Sequence, residues 1–225
     1  MARTDLRPEL RNICPARMRS RPIDPRGYSI PWFVAEIDGK PDLRIADSEK
    51  RVKAIRNRLC WVCGERLGVH LTFVIGPMCV VNRVTSEPPV HMDCGLYSVK
   101  GCPFLTRPLA QYRTANMPDG VTDPGGIALT HNPGACALYT TKTFGIMQLE
   151  RGFLIRLGDP ESVQFWHAGK IATRAEVDAA VSIGLPKLRA LAEEEGAHAT
   201  AELDRMLEAA AFWFPVDGTG AEARV

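Results

Sequence analysis

Three cysteines and one histidine in one short stretch constrain this chain more than any other feature. They are Cys60 and Cys63 in CWVCG, and His91 and Cys94 in HMDC, with two residues between the members of each pair. Two such pairs can surround one tetrahedral ion, and a Cys₃His set is typical of closed structural Zn²⁺ sites. A buried small side chain is the usual role of a single cysteine, but four residues at matched spacing favour a metal. The sequence therefore predicts one structural Zn²⁺ site.

The residues between the two pairs predict the local fold. Val69–Ile75 and Met78–Val84 are apolar and β-branched around a Gly-Pro turn, so we expect a hairpin. His91 and Cys94, at i and i+3, share one face of a helical turn. The turn that carries Cys60 and Cys63, called the knuckle, is thus followed by a hairpin and a helix. This order indicates a treble-clef-like zinc module. Four protein ligands leave no position for a reacting water, so the predicted role of the metal is to stabilise the fold.

The cysteine content bears on the cellular compartment. The chain has seven cysteines, an odd number that cannot all pair in disulfides within one chain. The Arg-rich N-terminus lacks an apolar signal segment, and no apolar run reaches the ~18–20 residues of a membrane span. Metal ligation plus free thiols is then a better explanation than disulfides, and it favours a cytoplasmic protein without a membrane segment. Three cysteines are assigned to zinc, with Cys102, at the end of the same predicted helix, as an alternative ligand.

Charge is distributed unevenly along the chain. Residues 1–58 carry 14 Lys and Arg against 8 Asp and Glu, whereas residues 116–225 carry 9 against 15. A basic N-terminal half favours an anionic partner such as nucleic acid, although solvated faces of opposite charge explain the same numbers. The candidate phosphate-contacting residues are Arg51, Arg56, Arg58, Arg66 and Arg83.

A helix and a hairpin are predicted before the first cysteine. Tyr28–Ile37 and Leu43–Ala46 read as two strands joined by the turn DGKP. A helix follows from Asp47 or Ser48 to about residue 59, since both are good N-caps. Its apolar stripe is predicted to contain Val52, Ile55 and Leu59.

The C-terminal half predicts a small antiparallel sheet followed by helices. Four β-like segments between residues 137 and 166 are separated by turn signals. Thr173 to Glu176 form a capping box that starts a helix. We expect that helix to stop at Gly184, a new one to begin near Pro186, and a last helix to cover residues 198–213.

These elements together predict an α+β fold: a treble-clef-like zinc module with an N-terminal hairpin and helix, followed by a small antiparallel sheet with C-terminal helices. The predicted divisions are an irregular basic arm at 1–27, the zinc-binding module at 28–108, a loop or linker at 109–135, an α+β element at 136–215 and a tail at 216–225.

An enzymatic site has two candidate locations. Asp159, Glu161 and His167 surround one predicted hairpin and could supply acid–base groups, although a β-turn with a solvated carboxylate and a core tryptophan is the favoured explanation. Treble-clef folds also include HNH-type nucleases, and His70 and Asn82 lie on the predicted zinc hairpin. His91 is already assigned to zinc, which weakens the nuclease interpretation.

Several longer motifs are shared with one group of proteins. The segments PWFVAEIDGKPDLRIAD, CWVCGERLG, TFVIGPMCVVNR, SEPPVHMDC and CPFLTRP resemble a group of uncharacterised proteins from bacteria and their phages, over roughly residues 28–108. The resemblance implies a zinc module joined to a second α/β element and a bacterial or phage setting. It implies no substrate.

The leading functional prediction is a zinc-stabilised accessory protein that contacts nucleic acid or a nucleic-acid-processing partner. One alternative is a metal-dependent nuclease or other hydrolase with a site between the two parts of the chain. Another is a protein–protein adaptor or phage assembly component, which would show an apolar surface patch or self-association. The oligomeric state does not follow from the sequence.

Overall fold

The computed structural model describes residues 5–111, 117 and 131–216, and its mixture of helices and small antiparallel sheets is the predicted α+β class. The α-helices are α1 (Pro8–Arg11), α2 (Ser48–Asn57), α3 (Pro77–Asn82), α4 (Met92–Gly101), α5 (Arg174–Glu195) and α6 (Ala197–Ala211). The strands are β1 (Val34–Ile37), β2 (Lys40–Ala46), β3 (Leu71–Ile75), β4 (Val84–Thr85), β5 (Ala135–Thr141), β6 (Phe144–Gln148), β7 (Phe153–Leu157), β8 (Pro160–His167) and β9 (Lys170–Ile171).

Three sheets, all antiparallel, organise these strands. β1 and β2 form a hairpin, a second sheet has the order β3-β5-β8-β9, and a third has the order β4-β7-β6. β3 and β4 come from the predicted zinc-binding module, yet both pair with strands of the predicted α+β element. The domain division stays a prediction, because most of the 109–135 loop and residues 217–225 of the tail lie outside the described residues.

The N-terminal hairpin and helix are present, although β1 begins at Val34 rather than at the predicted Tyr28. Asp38 and Gly39 at the β1–β2 turn have φ of 51° and 72°, the left-handed pair that a tight hairpin turn requires. The Asp47 side chain caps α2 by accepting from the backbone N–H of Lys50. The predicted apolar stripe is wrong at Val52, which is 53% exposed. The buried residue of α2 is instead Ala54, whose small side chain packs in the main core.

The segment before the hairpin is packed although little of it is regular. Beyond the single turn of α1 and a 3₁₀ turn at Ala16–Met18, residues 5–27 have no helix or strand. Leu10, Cys14 and Met18 are nevertheless buried in the main core. Their burial packs this segment against the rest of the protein.

The predicted break in the C-terminal helices is wrong. α5 continues through Gly184 and Pro186, while its capping box at Thr173 and Glu176 is present as predicted. A Cβ at Gly184 would lie 2.4 Å from Cγ of Met78, so this glycine allows α3 to approach α5 closely rather than ending the helix. The last helix, α6, agrees with the prediction to within two residues.

The main core connects the sheets with the segment that bears the cysteines. Phe73 on β3, Tyr139 on β5 and Phe165 on β8 are almost completely buried, and the same cluster includes Cys60 and Cys94. The four candidate metal ligands therefore lie at the border of this core. No helix among the described residues has both the length and the apolarity needed to cross a membrane.

Candidate metal centre

The first ligand pair lies on a tight knuckle. The backbone N–H of Cys60 donates to Glu65 O at 2.7 Å and that of Gly64 donates to Cys60 O at 2.8 Å. Gly64 has a φ of +84°, which glycine adopts without the strain of a Cβ. The backbone N–H of Cys63 also points at Cys60 Sγ, 3.4 Å away. The CxxCG sequence thus folds locally so that both sulfurs face one point.

The second pair lies at the start of α4. His91 is the N-cap residue of this helix and Cys94 is buried in its first turn. Two contacts fix the helix start beside the knuckle: Trp61 N–H donates to Pro89 O at 3.0 Å, and Thr72 on β3 forms an isolated bridge with Val90. The two donors therefore lie together at the start of α4, with His91 as an extended N-cap residue rather than within the helical turn.

The hairpin predicted over residues 69–84 is wrong. β3 ends at Ile75, and Pro77 begins α3 instead of a return strand. Proline suits the first position of a helix because its missing N–H is not needed there. β3 pairs with β5 and bridges to Val90 instead. The module keeps the knuckle and the ligand-bearing helix of a treble clef, with a short helix inserted between its strands.

The four side chains converge. The sulfurs of Cys60, Cys63 and Cys94 and a ring nitrogen of His91 all lie within 4.8 Å of one another. Cys63 Sγ lies 3.5 Å from His91 Nδ1. A tetrahedral Zn²⁺ with bonds of about 2.0–2.3 Å separates its ligand atoms by roughly 3.3–3.8 Å. The group could therefore hold one metal ion with only small movements of its side chains.

The other nitrogen of the histidine is also engaged. His91 Nε2 lies 3.1 Å from the carbonyl oxygen of Arg66 and donates to it. This bond leaves Nδ1, the nitrogen nearest Cys63, free of its proton and able to bind a cation. Metal-ligating histidines commonly donate their second N–H to a carbonyl or carboxylate, which fixes the ring orientation. The knuckle that provides two ligands thus also orients a third.

The three crowded thiols shift one another's pKa values in opposite directions. Hydrogen bonds from Cys63 and Cys94 hold the pKa of Cys60 well below its usual range. The contact with Cys60 raises the pKa of Cys63 to about 11, and contacts with Cys60 and Cys63 raise that of Cys94 further. Like charges side by side are unfavourable, so a positive ion between the three sulfurs would favour their ionised forms.

Arg17 joins the N-terminal segment to both halves of the group. Its Nε donates to Asp93 on α4 at 3.2 Å, and its Nη1 lies 3.8 Å from Glu65 on the knuckle. Three thiolates and one neutral histidine around a divalent ion carry a net negative charge, so a nearby guanidinium is favourable. The sequence offered no signal for this role, because Arg17 is one of several arginines in an irregular segment.

Aromatic side chains pack the N-terminal hairpin on the knuckle. Trp32 N–H donates to Val62 O at 2.7 Å, and the Phe33 ring stacks on Trp61 with centroids 5.1 Å apart. The Trp61 indole donates to Glu87 at 2.6 Å. Burial raises the pKa of Glu87. These contacts fill the space around the ligands with protein groups.

The five candidate phosphate-contacting arginines fall into two sets. Arg51 donates to the carbonyl oxygens of Ser86 and Phe153 and lies over the Phe153 ring, and burial lowers its pKa. Arg83 pairs with Asp159 at 2.6 Å. The other three are exposed; they are Arg56, in the last turn of α2, and Arg58 and Arg66, which flank the knuckle in the sequence.

The candidate acid–base residues do not converge. Asp159 pairs with Arg83 and is 92% exposed, and Glu161 contacts His70 at 2.6 Å and Lys142 at 2.8 Å. His167 lies at the opposite end of β8, with Nδ1 2.7 Å from Gly134 O. Six residues of extended strand separate Glu161 from His167 by roughly 20 Å, so these three side chains do not share one site.

Cys102, the alternative ligand, lies outside the group that converges. It is the C-cap residue of α4, and its N–H donates to Ser98 O at 2.9 Å. Burial raises its pKa. The four cluster residues lie at the opposite, N-terminal end of the same helix.

The arrangement is a group of four protein donors that could hold one metal ion. An ion bound there would connect the knuckle to the start of α4. Comparison with known proteins adds no constraint: no protein-family model matches the chain, and neither a curated protein nor a solved structure matches it.

Proposed function

We propose that Cys60, Cys63, His91 and Cys94 bind one structural Zn²⁺. The observation that carries the proposal is the convergence of the four donor atoms within 4.8 Å. Three sulfurs and one imidazole nitrogen are the donors that Zn²⁺ prefers in closed tetrahedral sites, and carboxylate-binding ions such as Mg²⁺ and Ca²⁺ are poor matches. Iron binds similar thiolate sets, so metal analysis distinguishes the two.

We propose further that the protein is not an enzyme but a zinc-stabilised accessory binding protein of the bacterial or phage cytoplasm. Four protein donors complete the coordination of Zn²⁺, so no position remains for a metal-activated water. The separation of Glu161 from His167 removes support for the hydrolase alternative. All seven cysteines are free thiols, which suits a reducing compartment.

The proposed partner is nucleic acid, contacted through the knuckle surface, which we define as Arg56, Arg58 and Arg66. Two contacts bring Arg58 and Arg66 together: Leu67 N–H donates to Arg58 O at 2.8 Å, and Leu59 bridges to Arg66. Arg56 lies two residues before Arg58, in the last turn of α2. The Arg58 guanidinium also donates to Gly68 O. Exposed guanidinium groups can bind phosphate oxygens through two hydrogen bonds each, without reading the base sequence.

Fluorescence anisotropy with a labelled duplex tests this partner at two salt concentrations. If three phosphates are contacted, affinity falls roughly 40-fold between about 50 mM and 200 mM salt. Replacing the three knuckle arginines by glutamine should reduce the salt slope by about three. The matched control removes the same charge from exposed residues elsewhere, through Arg151→Gln, Arg156→Gln and Lys187→Gln.

An unchanged slope in the knuckle variant, or an equal loss in the control variant, would refute the proposed surface. Absence of duplex and single-strand binding at the lower salt concentration would refute nucleic acid as the partner. Neither result would bear on the zinc site, which metal analysis tests separately.

A further inference from the structure

The N-terminal segment lies along helix α4 as a strap, which we define as residues 5–27. Leu10 packs against the C-terminal end of the helix, since a Cβ at Gly101 would lie 2.9 Å from Cδ2 of Leu10. Arg17 reaches Asp93, in the first turn of the same helix, at 3.2 Å. The strap therefore runs antiparallel to α4, and its two contacts lie about 12 Å apart along the helix at about 1.5 Å per residue.

The Arg17 end of the strap is linked to the candidate metal ligands through two carboxylate residues. Asp93 Oδ1 accepts from the backbone N–H of Cys94 at 2.9 Å, and the backbone N–H of Glu65 lies 3.5 Å from Cys63 Sγ. Arg17 contacts both carboxylates, with its Nη1 3.8 Å from Glu65. It therefore forms a second bridge between the knuckle and the start of α4, beside the one that a metal ion would form.

A metal ion would fix the positions of both acceptors of Arg17. An ion bound to Cys63 and Cys94 holds the two carboxylates at one separation, so the guanidinium loses less freedom when it contacts both. Without the ion, the knuckle and the helix start are joined by protein contacts alone, and the same bridge forms less readily. All three side chains are partly exposed, so each ion pair contributes little by itself.

We propose that metal binding at the four donors docks the metal-side end of the strap, residues 15–21, through Arg17, and that Arg17 in turn strengthens metal binding. This coupling rests on the metal site proposed for the same four donors. Because coupling between two binding events is reciprocal, the ion and the docked strap stabilise each other by the same factor. Two weak ion pairs give a factor of about two to ten. The far end of the strap is held by the buried Leu10 and does not respond to the metal.

Backbone amides at each end of the strap report its docking. Leu10 N–H donates to Arg7 O at 2.9 Å and Ile13 N–H donates to Leu10 O at 3.3 Å, and these two are the far-end amides. Three N–H groups beside Arg17 also donate within the strap, at 2.9 to 3.1 Å. These metal-side amides are those of Met18, Arg19 and Arg21. Their exchange with solvent distinguishes local opening near the metal from release of the whole strap.

Hydrogen–deuterium exchange followed by NMR on the full, zinc-loaded chain tests the coupling. Arg17→Gln should speed exchange of the metal-side amides about two- to tenfold and leave the far-end amides unchanged. Chelator competition should show zinc affinity falling by a similar factor. The matched control is Arg11→Gln, which removes an ion pair with Asp5 in the same strap without reaching the metal group. It should change neither the metal-side amides nor the affinity.

Removal of zinc from the wild-type chain by EDTA should speed the same metal-side amides. If the amides of β5 and β8 also lose protection, the whole fold has opened, and the Arg17→Gln comparison at full zinc loading decides. Unchanged exchange in that variant, or an equal change in Arg11→Gln, would overturn the proposal. Faster exchange at unchanged zinc affinity would overturn the reciprocal coupling. Zinc content, measured first, separates these results from failure of the metal site itself, in which the chain binds no zinc.

Discussion

Gly64→Ala tests whether the N-terminal hairpin is packed on the metal-binding knuckle. Gly64 has a φ of +84°, and a Cβ built there lies 2.7 Å from Cδ1 and Cγ of Trp32. Contacts this short do not occur between real carbon atoms, so the indole must move. The backbone N–H of Trp32 donates to Val62 O on the knuckle. Displacement of the indole should therefore disturb both the N-terminal hairpin and the knuckle.

The expected cost has two parts. Placing an alanine in the left-handed region costs about 1–2 kcal/mol, and forcing the indole out of its position costs about 1–3 kcal/mol more. Gly39→Ala separates the two, because Gly39 has a φ of +72° and no atom within 4 Å of its Cβ position. Only the first part applies to Gly39.

Urea denaturation followed by circular dichroism measures both variants, and chelator competition reports the metal affinity of each. We expect Gly64→Ala to lose about 1–3 kcal/mol more than Gly39→Ala and to release metal more readily. Equal losses of stability in the two variants would show that Trp32 does not pack against the knuckle and would refute this reasoning.

Three further predictions concern residues around the centre and the helices. Arg51→Lys should cost about 2–4 kcal/mol, because two hydrogen bonds and the contact with Phe153 are lost; denaturation measures it, and nucleic-acid affinity should not change. Hydrogen bonds from Thr173 lower the pKa of Glu176 below its ordinary 4.5, so its carboxylate stabilises the fold above that pH and less as the pH falls through the lower folded value. Glu176→Gln should therefore flatten the acid side of a stability–pH profile, and an unchanged profile would contradict this assignment. Cys102→Ser should leave the metal content at one ion per chain by mass spectrometry, and a loss of metal would make Cys102 a ligand.

The knuckle and the helix that bears His91 and Cys94 could be predicted because their determinants are local. A CxxCG turn and an i, i+3 pair fix the direction of side chains within a few residues. The hairpin was mispredicted because apolar, β-branched residues at 78–84 suit a helix or a strand equally. Pro77 at the first position of α3 was the signal for a helix.

The roles of the arginines depended on contacts that sequence cannot provide. Arg51 reaches Phe153, about a hundred residues away, and Arg83 reaches Asp159. Arg17 joins Glu65 to Asp93 from a segment with little regular structure. Charge and spacing identified basic residues but could not separate those that support the fold from those left on the surface.

X-ray absorption spectroscopy on the purified, metal-loaded protein tests the central claim, that four protein donors hold one structural Zn²⁺. A closed Cys₃His site should give a zinc edge, three sulfur neighbours at about 2.3 Å and one nitrogen neighbour at about 2.0–2.1 Å. An oxygen neighbour from water, fewer than three sulfurs, or a metal other than zinc would contradict it.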